Sequence, residues 1–160
     1  MSAPYAVDLD RRDTVQQYPL GALHEDPIVG TKFRYMKFTE GTAAVDATVG
    51  HVVIWDGAVA DWTNTLDVSD EAVTMPAGFA QAAFSNNEFG WFQTAGPNRK
   101  NITTDGGVAA HEKLVVHTTD GTVDTMAAGE EHHVVGVALA DDGTTTATIL
   151  DPNQAYIELE

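Results

Sequence analysis

The last third of the chain alternates β-branched and apolar residues with turn signals. Leu114-Val115-Val116-His117-Thr118-Thr119 runs into Asp120-Gly121, and Thr122-Val123-Asp124-Thr125-Met126 runs back out. His133-Val134-Val135-Gly136-Val137-Ala138-Leu139 then meets Asp142-Gly143, followed by Thr144-Thr145-Thr146-Ala147-Thr148-Ile149-Leu150. Asp-Gly between two such runs predicts a two-residue type I′ hairpin, because both central residues need positive φ and these two tolerate it best. Two such hairpins in succession predict an antiparallel meander that folds back as a small barrel or sandwich.

The same alternation extends upstream. Lys32-Phe33-Arg34-Tyr35-Met36-Lys37-Phe38 is aromatic and alternating, and Gly50-His51-Val52-Val53-Ile54-Trp55 is β-rich and ends at Asp56-Gly57. Val59-Ala60-Asp61-Trp62 predicts a further strand, and Ser69-Asp70-Glu71-Ala72-Val73 fits one capped helical turn that Pro76 stops. Residues 78–84 and 89–95 flank Ser85-Asn86-Asn87-Glu88 as a hairpin with a four-residue loop, and Ile102-Thr103-Thr104 is a short strand. Residues 1–30 differ. Pro4, Pro19 and Pro27 interrupt any helical period, and isolated apolar residues alternate poorly. The prediction is an all-β protein: a compact antiparallel barrel or sandwich-like domain over 31–152, an extended N-terminal arm over 1–30 and a C-terminal tail over 153–160. Fully stretched, such an arm spans on the order of 100 Å. No fixed repeat occurs, which argues against a solenoid or propeller.

Composition sharpens this picture mainly through charge. At 160 residues and 43% hydrophobic content, the chain can bury a core. Its net charge is −16, unevenly spread: residues 1–37 carry five basic and five acidic side chains, whereas 38–160 carry three basic and nineteen acidic. An acidic body repels phosphate backbones and anionic lipid, so neither nucleic acid nor membrane is an expected partner. Solubility accounts for much of the acidity; an outward-facing surface on a multi-copy assembly, with the neutral N-terminus turned inward, is the sharper alternative. The absence of cysteine removes disulfides, thiol catalysis and cysteine-ligated metal. No secretory signal is visible, and the longest apolar run, Val134 to Ala140, is too short to span a bilayer, so a soluble protein is expected.

Phe89-Gly90-Trp91-Phe92-Gln93-Thr94-Ala95-Gly96 introduces a resemblance. An aromatic-Gly-Trp-aromatic-Gln strand is followed by Gly106-Gly107, Val108-Ala109-Ala110, Leu114, a Thr-Asp-Gly hairpin, Ala127-Ala128-Gly129 and Val134-Val135-Gly136-Val137-Ala138-Leu139-Ala140. That order over residues 78–150 resembles the small head-decoration, or capsid-cement, proteins of tailed bacteriophages. The resemblance implies a barrel-like domain on the outer capsid surface of the virion, commonly trimeric, with the major capsid protein as partner. The arm and residues 39–77 lie outside it.

Candidate chemistry is sparse. Ser2, Ser69 and Ser85 lie in no Gly-x-Ser-x-Gly elbow, and phosphate-loop and dinucleotide fingerprints are absent. Glu130-Glu131-His132-His133, with His111 and His117, offers metal-type ligands, but adjacent histidines on a strand point to opposite faces. Asp120-Gly121 and Asp141-Asp142-Gly143 lack the alternating spacing of a calcium loop, and turn chemistry explains both. Trp55, Trp62 and Trp91 are either a sugar-stacking platform or, more commonly in a small β domain, core and interface residues. The expectation is therefore a non-enzymatic capsid-stabilising protein without cofactor or metal. Tyr5, Leu9, Arg11, Arg12 and Tyr18 are its expected capsid-binding arm residues, and Phe79, Phe84 and Trp91 are expected as exposed apolar trimer-interface residues. The alternative is a virion-associated carbohydrate-binding or host-attachment module.

Overall fold

The computed structural model describes residues 7–42, 44–57, 61–68, 75–127, 134–140, 149–150 and 155–159. Among them are thirteen strands and no helix. In chain order these are β1 (Arg12–Asp13), β2 (Leu23–Asp26), β3 (Thr31–Phe38), β4 (Val52–Trp55), β5 (Thr63–Thr65), β6 (Pro76–Ala80) and β7 (Phe89–Pro97). They continue with β8 (Ile102–Thr103), β9 (Lys113–Val116), β10 (Val123–Thr125), β11 (Val134–Ala138), β12 (Ile149–Leu150) and β13 (Ala155–Glu158). The protein is all-β, as its alternation predicts.

Strand β7 is the hub. One edge pairs with β3, from Lys37 opposite Phe89 to Lys32 opposite Ala95. The other edge takes β1, β6 and β13 in succession: Arg12 opposite Gly90, Ala80 opposite Phe92, and Tyr156 opposite Pro97. From β6 the ladder runs through β4 to β5, and β5 returns to β3 by a short parallel contact at Lys37–Thr63 and Phe38–Asn64. The strands β7, β6, β4, β5 and β3 thereby close a five-stranded barrel. Outside the ring, β13, β11, β9 and β10 continue the sheet, while β8 and β12 form a separate pair.

Alternation distributes side chains to three cores. Met36 and Phe38 of β3, Val53 of β4, Ala80 of β6 and Phe92 of β7 fill the ring together with Phe84, whose ring stacks on Phe92 at 4.8 Å. Val52 and Ile54 of β4 and Phe79 of β6 leave the barrel by the opposite face and meet Leu114, Val135 and Ile157. Phe33 and Tyr35 of β3 form a third cluster with Trp91 of β7. A strand buried on both faces hides the polar-out half of a simple alternating pattern.

Several expectations change. The hairpin after Val116 exists as β9–β10, with Val123 opposite Val116. Its loop is longer than type I′ allows: His117 N–H donates to the Thr122 carbonyl and Thr122 N–H to the Thr119 carbonyl, and Gly121 alone in the loop has positive φ, at 76°. β11 pairs with β9 and β13, and β12 with β8, so the predicted β11–β12 hairpin is replaced by non-local pairing. The Asp142-Gly143 turn lies outside the described residues. The predicted C-terminal tail contains β13, an interior strand whose Ala155 and Ile157 are buried. Within Val59–Trp62, Val59 and Ala60 are outside the described residues, and the strand starts at Thr63, after Trp62 at φ 52°. The turn at Ser69–Val73 also lies outside them.

Phe79, Phe84 and Trp91 are 2%, 1% and 3% exposed, one in each core, so they are not the exposed apolar interface expected of them. Their packing within one chain already satisfies the apolar surface that the sequence pattern left unassigned. Trp91→Ala is therefore expected to destabilise folding by about 3–5 kcal/mol, the cost of an emptied aromatic core site. Denaturant unfolding at two protein concentrations checks this. A loss of association with unchanged stability would place Trp91 at an interface instead.

Candidate functional site

Residues 7–30 do not reach away from the domain as an extended arm. Phe33, Tyr35 and Trp91, with Phe89, present an aromatic outer face that water would otherwise cover. Val7, Leu9, Leu20 and Ala22, the isolated apolar residues of the N-terminal stretch, pack onto it. Tyr18 adds an aromatic corner, its ring 5.2 Å from Tyr35 and 5.3 Å from Trp91. The stretch is a strap, tied at one end by β1 against β7 and at the other by the β2–β3 hairpin, with Leu23 opposite Arg34 and Asp26 opposite Thr31.

Polar contacts fix the strap between those ties. Arg99 donates to both carboxylate oxygens of Asp10, with Nη2–Oδ2 at 2.9 Å, and Lys100 Nζ lies 2.7 Å from Oδ1. The Arg99 guanidinium holds the Asp10 carboxyl well below the usual carboxylate range, against burial, with Lys100 adding to it. Asp10 in turn raises the pKa of Arg99. The Tyr35 hydroxyl donates to Asp13 Oδ2 at 2.9 Å and accepts from the Gln17 N–H at 3.2 Å. Burial above all, with the Asp13 carboxylate beside it, pushes the Tyr35 phenol up to about 12.

The expected arm residues fall into this arrangement. Tyr5 lies outside the described residues. Leu9 packs on the aromatic cluster, Arg11 pairs with Asp13 at 2.6 Å, Arg12 lies 3.8 Å from Glu88, and Tyr18 faces Tyr35 and Trp91 while remaining 38% exposed. Sequence reasoning missed the outward side of the strap. Val15, Leu23, Ile28 and Val29 are exposed, with Ile28 at 92% on the tip of the β2–β3 hairpin. The available signal was Asp26-Pro27-Ile28-Val29-Gly30, a turn between two pairable runs whose centre is apolar. Asp26 Oδ1 accepts from the Ile28 N–H at 2.9 Å and fixes that turn.

A second surface feature is a groove of about 550 Å³ at one end of the barrel. Leu23, Trp55, Trp62, Met75 and Tyr156 supply its apolar lining, and Lys32, Arg34, Thr94 and Glu158 its polar lining. Trp62 is held there from several sides. Arg34 lies over its ring at 5.3 Å, Trp55 meets it nearly perpendicularly at 5.6 Å, and its indole occupies the space where a Cβ on Gly21 would stand. Gly21, at φ 78°, accepts from Arg34 Nη1 through its carbonyl at 2.9 Å. The three tryptophans of the sequence are thus divided: Trp55 and Trp62 share the groove, and Trp91 lies under the strap.

Among the described residues the histidines do not converge. His117 Nδ1 is 3.0 Å from Asp105 Oδ2, and Nε2 is 4.0 Å from Asp124. His51 stands half-buried against Gly121, and burial lowers its pKa. Among the described residues no three His, Asp or Glu side chains are grouped to hold a metal ion. Glu130, Glu131, His132 and His133 lie outside them, as do Asp141, Asp142 and Gly143. Asp120 accepts from the Val68 N–H at 3.2 Å, which ties its turn to the neighbouring segment.

No family model matches the chain. No curated protein matches it either. Among solved structures, the N base of the head fiber gp8.5 of bacteriophage phi29 is similar at a TM-score of 0.47 and 11% sequence identity, over 79% of this chain and 97% of that one.

The Asp10 anchor has a pH consequence. Its carboxyl is held below the ordinary value of 3.8, so the anchor is complete above about pH 4 and weakens as pH falls through and below that value. Amide exchange over residues 7–13 is expected to accelerate below pH 4 before that of β7 does, after correction for intrinsic rates. Asp10→Asn should remove the pH-dependent step. Simultaneous loss of protection in both segments would mean that the strap has no local opening.

Proposed function

We propose that this chain is a structural virion protein that binds the outer surface of a phage capsid and stabilises the head lattice as a homotrimer. The observation that carries this reading is the location of exposed apolar surface. Of the ten large hydrophobic side chains exposed among the described residues, Val15, Tyr18, Leu23, Ile28 and Val29 fall within residues 15–29, inside the stretch whose charges balance. An apolar outer surface within a charge-balanced stretch, on an otherwise strongly acidic chain, is suited to docking. The phage-decoration resemblance of residues 78–150 supplies the partner, the major capsid protein. In this reading Arg11 and Arg12, with side chains 59% and 58% exposed, flank the contact, and the acidic body faces solvent.

The mechanism is assembly physics. A modest contact per subunit becomes strong once a trimer engages several capsid subunits, because each later contact is effectively intramolecular. Closed three-fold symmetry gives every protomer the same contact. Neither a reaction nor a bound metal is required of the protein in this role.

Burying the Ile28 side chain is worth about 1.5–3 kcal/mol. Ile28→Asp with Val29→Asp is therefore expected to leave the melting temperature near wild type and to weaken monomeric capsid affinity roughly tenfold to a hundredfold. Sedimentation with capsids lacking the protein measures this, and undiminished binding would remove the hairpin tip from the contact. Cryo-electron microscopy of decorated particles is expected to show trimers; isolated single copies would overturn that assignment. Treatment with a strong chelator, and His132→Gln with His133→Gln, should leave melting and attachment unchanged. Stoichiometric metal lost together with stability would defeat the metal-free mechanism.

A further inference from the structure

The groove at the barrel end shares Leu23 alone with the proposed capsid contact, and its lining carries two cations. Arg11, Arg12 and Arg99 each face a carboxylate. Lys32 and Arg34 form no ion pair among the described residues, with Glu25 opposite Lys32 on β2 and Glu158 elsewhere in the lining as the nearby carboxylates. Adjacent to these cations stand Trp55 and Trp62, partly buried and set at 69° to one another. Arg34 is committed to the Trp62 ring and the Gly21 carbonyl, which fixes its position, while exposed Lys32 is held only by its backbone ladder.

The backbone around the groove narrows the class of ligand. Strands β3, β4, β6, β7 and β13 are each paired on two sides, so they offer little open ladder to an extended peptide. Pro76, at the start of β6, lacks an N–H as well. Recognition must come from side chains, and those present include two indoles, two cations, the Thr94 and Tyr156 hydroxyls, a carboxylate and the apolar Leu23 and Met75. Indole faces suit the C–H surface of a sugar ring, the cations suit a carboxylate, and Thr94 and Glu158 suit hydroxyl groups. A volume of about 550 Å³ lies within the usual ~300–1,000 Å³ range of small-ligand sites. Trp62 is kept at φ 52°, a conformation that a bulky residue adopts only when its surroundings impose it. Gly21, Arg34 and Trp55 pack around its indole here.

From this juxtaposition of paired indoles and cations outside any ion pair, we infer that the barrel mouth is a binding site for an acidic saccharide, a pyranose carrying a carboxylate. The site shares Leu23 with the proposed capsid contact but not Ile28 or Val29, so its failure would leave the contact through the hairpin tip intact.

The test titrates the full chain with trigalacturonic acid and sialyllactose, and with neutral maltotriose as the control, by calorimetry and tryptophan fluorescence. At least one acidic probe is expected to saturate with a fluorescence change, with maltotriose about tenfold weaker or more. Lys32→Ser is expected to weaken the acidic probe about tenfold, as for loss of a charge-assisted hydrogen bond, without shifting the melting temperature or capsid binding. The inference is overturned if neither acidic probe saturates, if maltotriose binds equally well, or if Lys32→Ser leaves affinity unchanged. Protection of the same tryptophans from a soluble quencher by capsid protein, with both acidic probes failing, would assign the groove to a protein partner.

Discussion

One strand has every edge and face committed. β7 holds β3 on one side and β1, β6 and β13 on the other, so the barrel, the strap and the outer sheet all take their register from it. Its faces are divided in the same way, with Phe92 inside the ring and Phe89 and Trp91 under the strap. Gln93 lies between these demands, 1% exposed. Its amide donates to the Pro97 carbonyl at 2.7 Å, and its oxygen accepts from the Arg99 N–H at 2.9 Å, closing the turn at the end of the strand. That turn carries Arg99 and Lys100 to Asp10, so a buried amide in the hub also positions the strap's main anchor.

The strap solves a problem created by the barrel. A five-stranded ring can fill its interior with Met36, Phe38 and Phe92, but an aromatic outer face on β3 and β7 then needs separate cover. The prolines of the N-terminal stretch prevent it from pairing as one continuous strand. It instead contributes short pairings at β1 and β2 and isolated apolar contacts between them. Charge assists the attachment. Residues 38–160 contain three basic side chains, and two of them, Arg99 and Lys100, converge on Asp10. The stretch therefore combines an inward side adapted to its own domain with an outward side that exposes apolar residues among balanced charges.

Local pattern disclosed elements better than it disclosed their partners. Lys32–Phe38, Val52–Trp55 and Phe89–Ala95 are legible because alternation and β-branched or aromatic content are local properties. The pairing of β12 with β8, and of β13 between β7 and β11, joins residues far apart in sequence. A four-residue strand at a chain end offers little signal for such placement. The three aromatic residues first assigned to an interface show the same difficulty. Periodicity gives the face on which Trp91 lies, but it does not reveal that Tyr18 and Leu20, some seventy residues earlier, lie over that face. Turn chemistry was only partly legible: Gly121 marks the loop, while the hydrogen bonds at His117 and Thr119 set its length. The groove was represented by Trp55 and Trp62 alone, because their union with Arg34 depends on ring closure through β5.

The distribution of cations connects these observations. In a chain with three times as many acids as bases, a structurally fixed base that forms no ion pair keeps its charge for other partners. Arg99 and Lys100 use their charge internally to attach the strap, and the buried Tyr35–Asp13 contact reinforces the same attachment. Arg34 is held equally firmly, but by an aromatic face and a backbone carbonyl, neither of which neutralises it. Its charge and that of Lys32 consequently persist at the barrel mouth beside the indoles. The fold thus separates two uses of positive charge: one completes the protein's own structure, and the other preorganises a surface for an anion from outside.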